Sequence, residues 1–262
     1  MIFRALKEST KTLILRPYIL LPMLIVSIIS YLFIEATTGL FERYFTDLLL
    51  YGDIISEFDP IIFIISNYPI ELILLLISGI IMIFVSVLAI IMIAKFCNGK
   101  GFVESINSTV MEWKRSLGLV IFGAILFLLF FAILFAITGA LDWLNNITAG
   151  TLGPLIYYII LPIVLLFLVL LFAVKLAFII PIFADGEKIR ESIQKSWGTT
   201  DKTSLNVLAF ILILVIITFL ISQLFLFLSL NIIELEIVLL SAGEIISTTF
   251  FVLGISYYYY LR

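Results

Sequence analysis

Residues 72–94 read LILLLISGIIMIFVSVLAIIMIA, 23 positions without one ionisable side chain. A helix needs about 20 mainly apolar residues to cross a bilayer, and in lipid only helices or closed barrels satisfy every backbone polar group. This run is too long and too uniformly apolar for a barrel strand, so it predicts a spanning helix. Four more stretches lack charge, 17–34, 116–141, 143–174 and 203–233, and 237–261 is interrupted by Glu244 alone. The turn-forming string NNITAGTLGP moves the start of the fourth span to about Leu155. The expectation is an all-α polytopic membrane protein, a single integral domain over 1–262, with six transmembrane helices at 17–37, 71–94, 117–139, 155–179, 206–230 and 237–260. Pro22 and Pro162 fall inside spans and are expected to kink them.

Composition agrees. The 262-residue chain is 63% hydrophobic and 13% charged, with mean hydropathy +1.29; soluble globules carry about 25% charged residues. It has no histidine and one cysteine, Cys97, which removes the usual metal ligands, the commonest general base and any internal disulfide. No cofactor, metal or catalytic residue is expected, and an enzyme is the least expected class. A net charge of -3 and a pI near 5.0 exclude a nucleic-acid partner. The partners in view are membrane lipids, a second copy of the chain or a partner subunit.

The basic residues orient the chain. Arg4, Lys7, Lys11 and Arg16, then Lys95, Lys100, Lys114 and Arg115, then Lys188, Arg190, Lys195 and Lys202, and finally Arg262 all fall on one side of a six-span model. They are 13 of the 15 in the chain. Basic loops stay on the cytoplasmic side, so both termini of a multi-pass cell-membrane protein are expected there. Tyr257, Tyr258, Tyr259 and Tyr260 before Arg262 read as an interfacial aromatic belt with a snorkelling cation. The loop over 39–60 mixes Phe41, Tyr44 and Phe45 with Glu42, Asp47 and Asp53, and reads as an acidic interfacial helix broken near Gly52 and Pro60.

Each basic segment contains Glu-Ser, in FRALKESTKTL (3–13), KGFVESINSTVMEW (100–113) and EKIRESIQKSW (187–197). Turn signals NGKG and DGEK precede the second and third. Apolar residues recur at helical spacing, so each predicts an amphipathic elbow helix in the headgroup layer, with Trp113 and Trp197 at the boundary. Every elbow precedes an odd-numbered span. The chain thus parses into three parallel elbow-plus-hairpin units, 1–96, 97–183 and 184–262, expected around an axis along the membrane normal.

The stretch PIFADGEKIRESIQKSW, 181–197, with its membrane-edge proline, acidic-glycine turn and Ser/Trp amphipathic helix, resembles the multi-span membrane domain attached to some glycerophosphodiester phosphodiesterases, and related uncharacterised archaeal six-span proteins. ALKESTKTLILRPYILLP, 5–22, is similar to their first elbow and span. The resemblance implies an architecture and no activity, because that family's phosphodiesterase chemistry resides in a separate soluble domain.

Ionisable residues within spans are costly and are the first functional candidates. Glu244 lies about 12 Å inside span 6 at 1.5 Å per residue, with Ser241, Ser247 and Thr248 as helical neighbours. Thr218 and Ser222, four apart in span 5, are expected to share a polar interior with it. Lys175 in span 4 either snorkels to the inner edge or pairs with Glu244. Gly79, Gly118, Gly123, Gly139 and Gly254 are expected to allow close helix contact. Asn146-Ile147-Thr148 matches a glycosylation acceptor on the outer side, and Asn107-Ser108-Thr109 matches it on the inner side. These features predict transport or handling of a small solute, ion or lipid; the alternatives are the membrane subunit of an ATPase-coupled exporter or a non-transporting scaffold.

Overall fold

The structure is a computed structural model that describes residues 1–55, 68–147, 159–201, 203–232 and 235–262, with some side chains of the long helices outside the description. Expectations that fall on 56–60 and 148–158, including Pro60, Thr148 of the sequon, the TAGTLGP turn and the start of span 4, lie outside the described residues. Among the described residues every regular element is a helix. They are α1 Ile2–Leu15, a 3-10 turn Pro17–Leu20, α2 Leu21–Ile55, α3 Pro69–Cys97, α4 Phe102–Met111, α5 Trp113–Ile147, α6 Leu161–Leu176, α7 Ile179–Ala184, α8 Ile189–Asp201, α9 Ser204–Asn231 and α10 Glu236–Tyr260.

Five stretches of helix are long and apolar enough to cross a membrane among the described residues: Pro17–Gly39, Pro69–Cys97, Leu161–Ala184, Ser204–Asn231 and Glu236–Tyr260. They correspond to five of the six expected spans, and the remaining one, 117–139, falls within the continuous helix α5. Their length and composition are compatible with a membrane protein.

One local expectation is corrected, and the two prolines take defined places. Pro22 is the second residue of α2, where the 3-10 turn Pro17–Leu20 gives way to α-helix, and Pro162 is the second residue of α6. Proline is tolerated in the first turn of an α-helix. The acidic segment after Gly39 is not a separate helix broken at Gly52, because α2 runs unbroken to Ile55. One glycine in an otherwise apolar helix costs only about 1 kcal/mol relative to alanine.

The three Glu-Ser segments form α1, α4 and α8. Helix α4 packs on α3 and α8 packs on α6 and α7, the spans that precede them in the chain. Helix α1 packs instead on α10, at the far end of the sequence. The hydroxyls of Thr12 and Tyr257 meet there at 2.7 Å.

The elbow face turned to the bundle is lined by small hydroxyl residues. Ser9, Ser105, Thr109, Ser192, Ser196 and Thr200 are at most 1% exposed. The serine of each Glu-Ser pair donates to the carbonyl one turn back, Ser9 to Ala5 at 2.8 Å, Ser105 to Gly101 at 2.9 Å and Ser192 to Lys188 at 3.0 Å. A side chain that satisfies its own hydroxyl can be buried without a partner across the interface, and its small size lets the elbow lie close.

The core occupies the elbow half of the molecule, in clusters around Phe178, Phe210, Leu214 and Tyr258, around Ile19, Ile93 and Leu253, and around Ile91, Ile179 and Phe183. Away from the elbows, large apolar side chains such as Ile73, Leu76, Ile80, Phe219 and Phe227 face outward. The tightest approach is between α9 and α10. A Cβ on Gly243 would sit 2.6 Å from Phe225 Cβ, and one on Gly254 would sit 2.6 Å from Leu214 Cδ2. Gly79 and Gly118 also lie close to neighbours, whereas Gly123 and Gly139 face open space.

Candidate functional site

The apolar stretch Leu161–Ala184 breaks between α6 and α7, and Pro181 explains where. Proline cannot donate to the carbonyl one turn back, which opens the ladder near Ala177 and Phe178. Ser196 of the elbow α8 fills the gap: its Oγ accepts from the Phe178 amide at 3.3 Å and donates to the Lys175 carbonyl at 2.7 Å. Lys175 reaches the elbow as well, where its ammonium pairs with Asp201 and lies 5.2 Å over the Trp197 ring. It reaches an interfacial carboxylate by snorkelling and does not pair with Glu244.

Beyond the break, the elbow-side ends of α3, α7 and α10 converge. Cys97-Asn98-Gly99 ends α3 and Ala184-Asp185-Gly186 ends α7, with Gly99 at φ 87° and Gly186 at φ 106°. That left-handed conformation favours glycine, so NG and DG are the right residues for both turns. Asn98 Nδ2 donates to Asp185 Oδ1 at 2.7 Å. Tyr260, from the end of α10, aims one hydroxyl proton at the same Oδ1, 2.7 Å away, and at the Pro181 carbonyl, 3.1 Å away. Burial at this junction pushes the Asp185 carboxyl above its ordinary range; the Tyr260 hydrogen bond pulls it back, and Glu187 pushes it up further.

A charged cluster braces the junction. Lys95, 1% exposed, donates to Glu112 Oε2 at 3.1 Å, and Arg115 donates to the same oxygen at 3.0 Å. Arg115 also bonds the Phe183 carbonyl at 2.6 Å and the Glu187 carbonyl, with its guanidinium 4.1 Å over the Phe183 ring. It thus ties the start of α5 to the end of α7, and its bonds are those of a cation capping a helix C-terminus.

The ends of α3, α7 and α10 lie between two cavities. Toward the middle of the bundle lies a groove of about 490 Å3 between α6–α7 and α10, completed by Ile90 of α3 and Ile211 of α9. Phe172, Ala173, Ala177, Pro181, Phe251 and Ile255 make it apolar, and Thr248 and Ser256 are its only hydroxyls among the described residues. It lies within about 20 Å of the elbow end, counting 1.5 Å per residue along α6–α7 and α10. On the elbow side, Asn98, Asp185, Thr199, Thr203, Tyr260 and Arg262 line an open polar basin of about 740 Å3.

The sequence-derived site residues do not form one interior. Thr218, Ser222 and Thr248 do come together with Ser247, around a shallow cavity of about 420 Å3 between α9 and α10. Glu244 and Ser241 are not part of it. In the single chain Glu244 is exposed and does not share that cavity with Thr218 and Ser222. The reason is the glycine contact: α10 turns Gly243, Ser247 and Gly254 toward its neighbours, and a residue adjacent to Gly243 points about 100° away. Tyr258 is likewise no belt residue, since it is 3% exposed and stacks 4.2 Å from Phe210. Four consecutive helical residues cannot all face one interface.

Among the described residues no group of three or more His, Cys, Asp or Glu side chains is placed to hold a metal ion. Asp185 and Ser196 were not singled out in the sequence, and Tyr260 was read there only as a belt residue; Pro181 and the paired NG and DG turns were the signals that could have found them. Fold and site together define a class, a helical chain with apolar spans, an apolar groove and a polar seal at one end. No family model, curated protein or solved structure matches it.

Proposed function

We propose that this is a six-span membrane protein of three parallel elbow-plus-hairpin units that handles a lipid, holding an acyl chain in the groove between α6–α7 and α10. The charge-free run 116–141 within α5 supplies the sixth span. The packing of α1 on α10, of α4 on α3 and of α8 on α6 and α7, together with the three back-bonded serines, supports units related by rotation about the membrane normal. The basic elbows face the cytoplasm. The layout accords with the glycerophosphodiester phosphodiesterase membrane domain that the sequence resembles.

The observation that carries the lipid reading is the lining of the groove. An ion or sugar leaving water would lose its hydration against ten or more apolar side chains and recover two hydroxyl contacts, whereas an acyl chain loses nothing there. Replacing Ala173 by Phe puts a ring into the groove from a wall that is alanine now. Purified with its lipids and weighed intact by native mass spectrometry, the parent chain retains bound lipid, and Ala173→Phe retains several-fold less at an unchanged melting temperature. Equal retention by the two would remove the groove as the lipid site.

A further inference from the structure

The basin and the groove are one helical turn apart on both walls. Pro181 lines the groove and Asp185 the basin; Ser256 lines the groove and Tyr260 the basin. Four residues of helix span about 6 Å, less than the length of a phospholipid headgroup with its glycerol. Tyr260 stands at the crossing point, with its hydroxyl directed at both Pro181 and Asp185.

The basin lining carries two opposite charges that are not spent on each other. Asp185 Oδ1 takes both of the bonds described, from Asn98 and Tyr260, which leaves Oδ2 without a donor among the described residues. The Arg262 guanidinium lies 5.7 Å over the Phe178 ring and has no carboxylate partner among the described residues. Thr199 and Thr203 add hydroxyls between neutral walls. A free cation fits a phosphate, and a free carboxylate oxygen fits an N–H or O–H donor on the same molecule.

Resting on the lipid reading above, the geometry points to the basin as the headgroup site for the lipid held in the groove, selective for a phospholipid whose headgroup carries a hydrogen-bond donor. Its phosphate meets Arg262, and its ammonium or hydroxyl meets Asp185. Phosphatidylethanolamine and phosphatidylglycerol qualify, whereas phosphatidylcholine, whose quaternary nitrogen has no N–H, does not.

The test is competition in the intact purified chain. An equimolar mixture of the three lipids with identical acyl chains is added in detergent, and bound species are counted by native mass spectrometry. The parent retains the two donor-bearing lipids at least threefold over phosphatidylcholine. Asp185→Asn brings that ratio close to one, and Arg262→Gln lowers retention of all three while keeping the ratio. Should Asp185→Asn fail to fold, Arg262→Gln and Thr203→Val still decide, the latter by reducing the ratio. Lipid retention with no headgroup preference in the parent overturns the basin and leaves the groove standing. Retention of no lipid, or retention that Ala173→Phe does not reduce, overturns the groove reading itself.

Discussion

Asn98 donates to Asp185 across 2.7 Å, and the two residues, 87 positions apart, hold the same place in two matching turns. Each precedes a left-handed glycine, and each stands seven residues before the buried serine of its Glu-Ser pair. The contact therefore joins the turn after α3 to the turn after α7, where α10 also ends. Replacing Asn98 by Ala removes this bond and leaves the turn glycine in place. A net loss of about 0.5–1.5 kcal/mol is expected, read as a lower melting temperature in detergent. An unchanged melting temperature would mean that the junction adds nothing to stability.

Glycine contacts predict opposite signs at different positions. Gly243→Ala places a Cβ against Phe225 Cβ, which cannot swing away, and should cost about 1–3 kcal/mol. Gly254→Ala meets the end of a leucine side chain and should cost less. Gly123→Ala, with nothing within 4 Å, should gain up to about 1 kcal/mol from helix propensity. Thermal unfolding of the three variants in one detergent checks the ranking.

Ser196→Ala should be the costliest of the elbow serine replacements. It leaves the Phe178 amide and the Lys175 carbonyl without their side-chain partner, at about 1–3 kcal/mol for an unsatisfied buried group. Ser105→Ala removes a bond made within one helix and should cost less. Hydrogen exchange should show faster exchange at Phe178 in the first variant alone.

Acidity should stabilise the junction through Asp185. Its folded-state carboxyl titrates above the ordinary aspartate range, mainly because of burial, so the folded chain holds this proton more tightly than the unfolded chain. Stability from this group is highest below the ordinary aspartate value and falls as pH rises through the folded one. Tyr260, Glu187, Lys100 and Lys195 face it and set how far the window extends. Glu187, drawn down by its bond to Lys195, works in the opposite sense and is lost as pH falls. Melting curves of parent and Asp185→Asn should converge toward low pH and separate toward neutrality, with the variant the more stable there; parallel curves would contradict the assignment.

Orientation can be read with a thiol placed on an exposed elbow position. In a Cys97→Ser background, Glu104→Cys should react with a membrane-impermeant maleimide only after the cytoplasmic side is opened. Labelling in intact cells would reverse the topology.

What the sequence determined by itself is what lies along one segment. Uncharged length marks the spans, Glu-Ser marks the elbows, and NG and DG mark turns that need left-handed glycine. Each follows from local geometry and from the cost of charge in lipid. What only the tertiary structure decided is which side of each helix meets another. In α9 and α10 the residues facing lipid and those facing protein are equally apolar, so hydropathy carries no periodic signal to separate them. That is why Glu244 was expected beside Thr218 and Ser222 and lies apart from their cavity, why Gly243 was overlooked, and why the elbow face that packs is the serine face between the larger apolar residues. The seal at Asp185 and the groove behind it join residues from helices far apart in the chain, through contacts that no segment specifies alone.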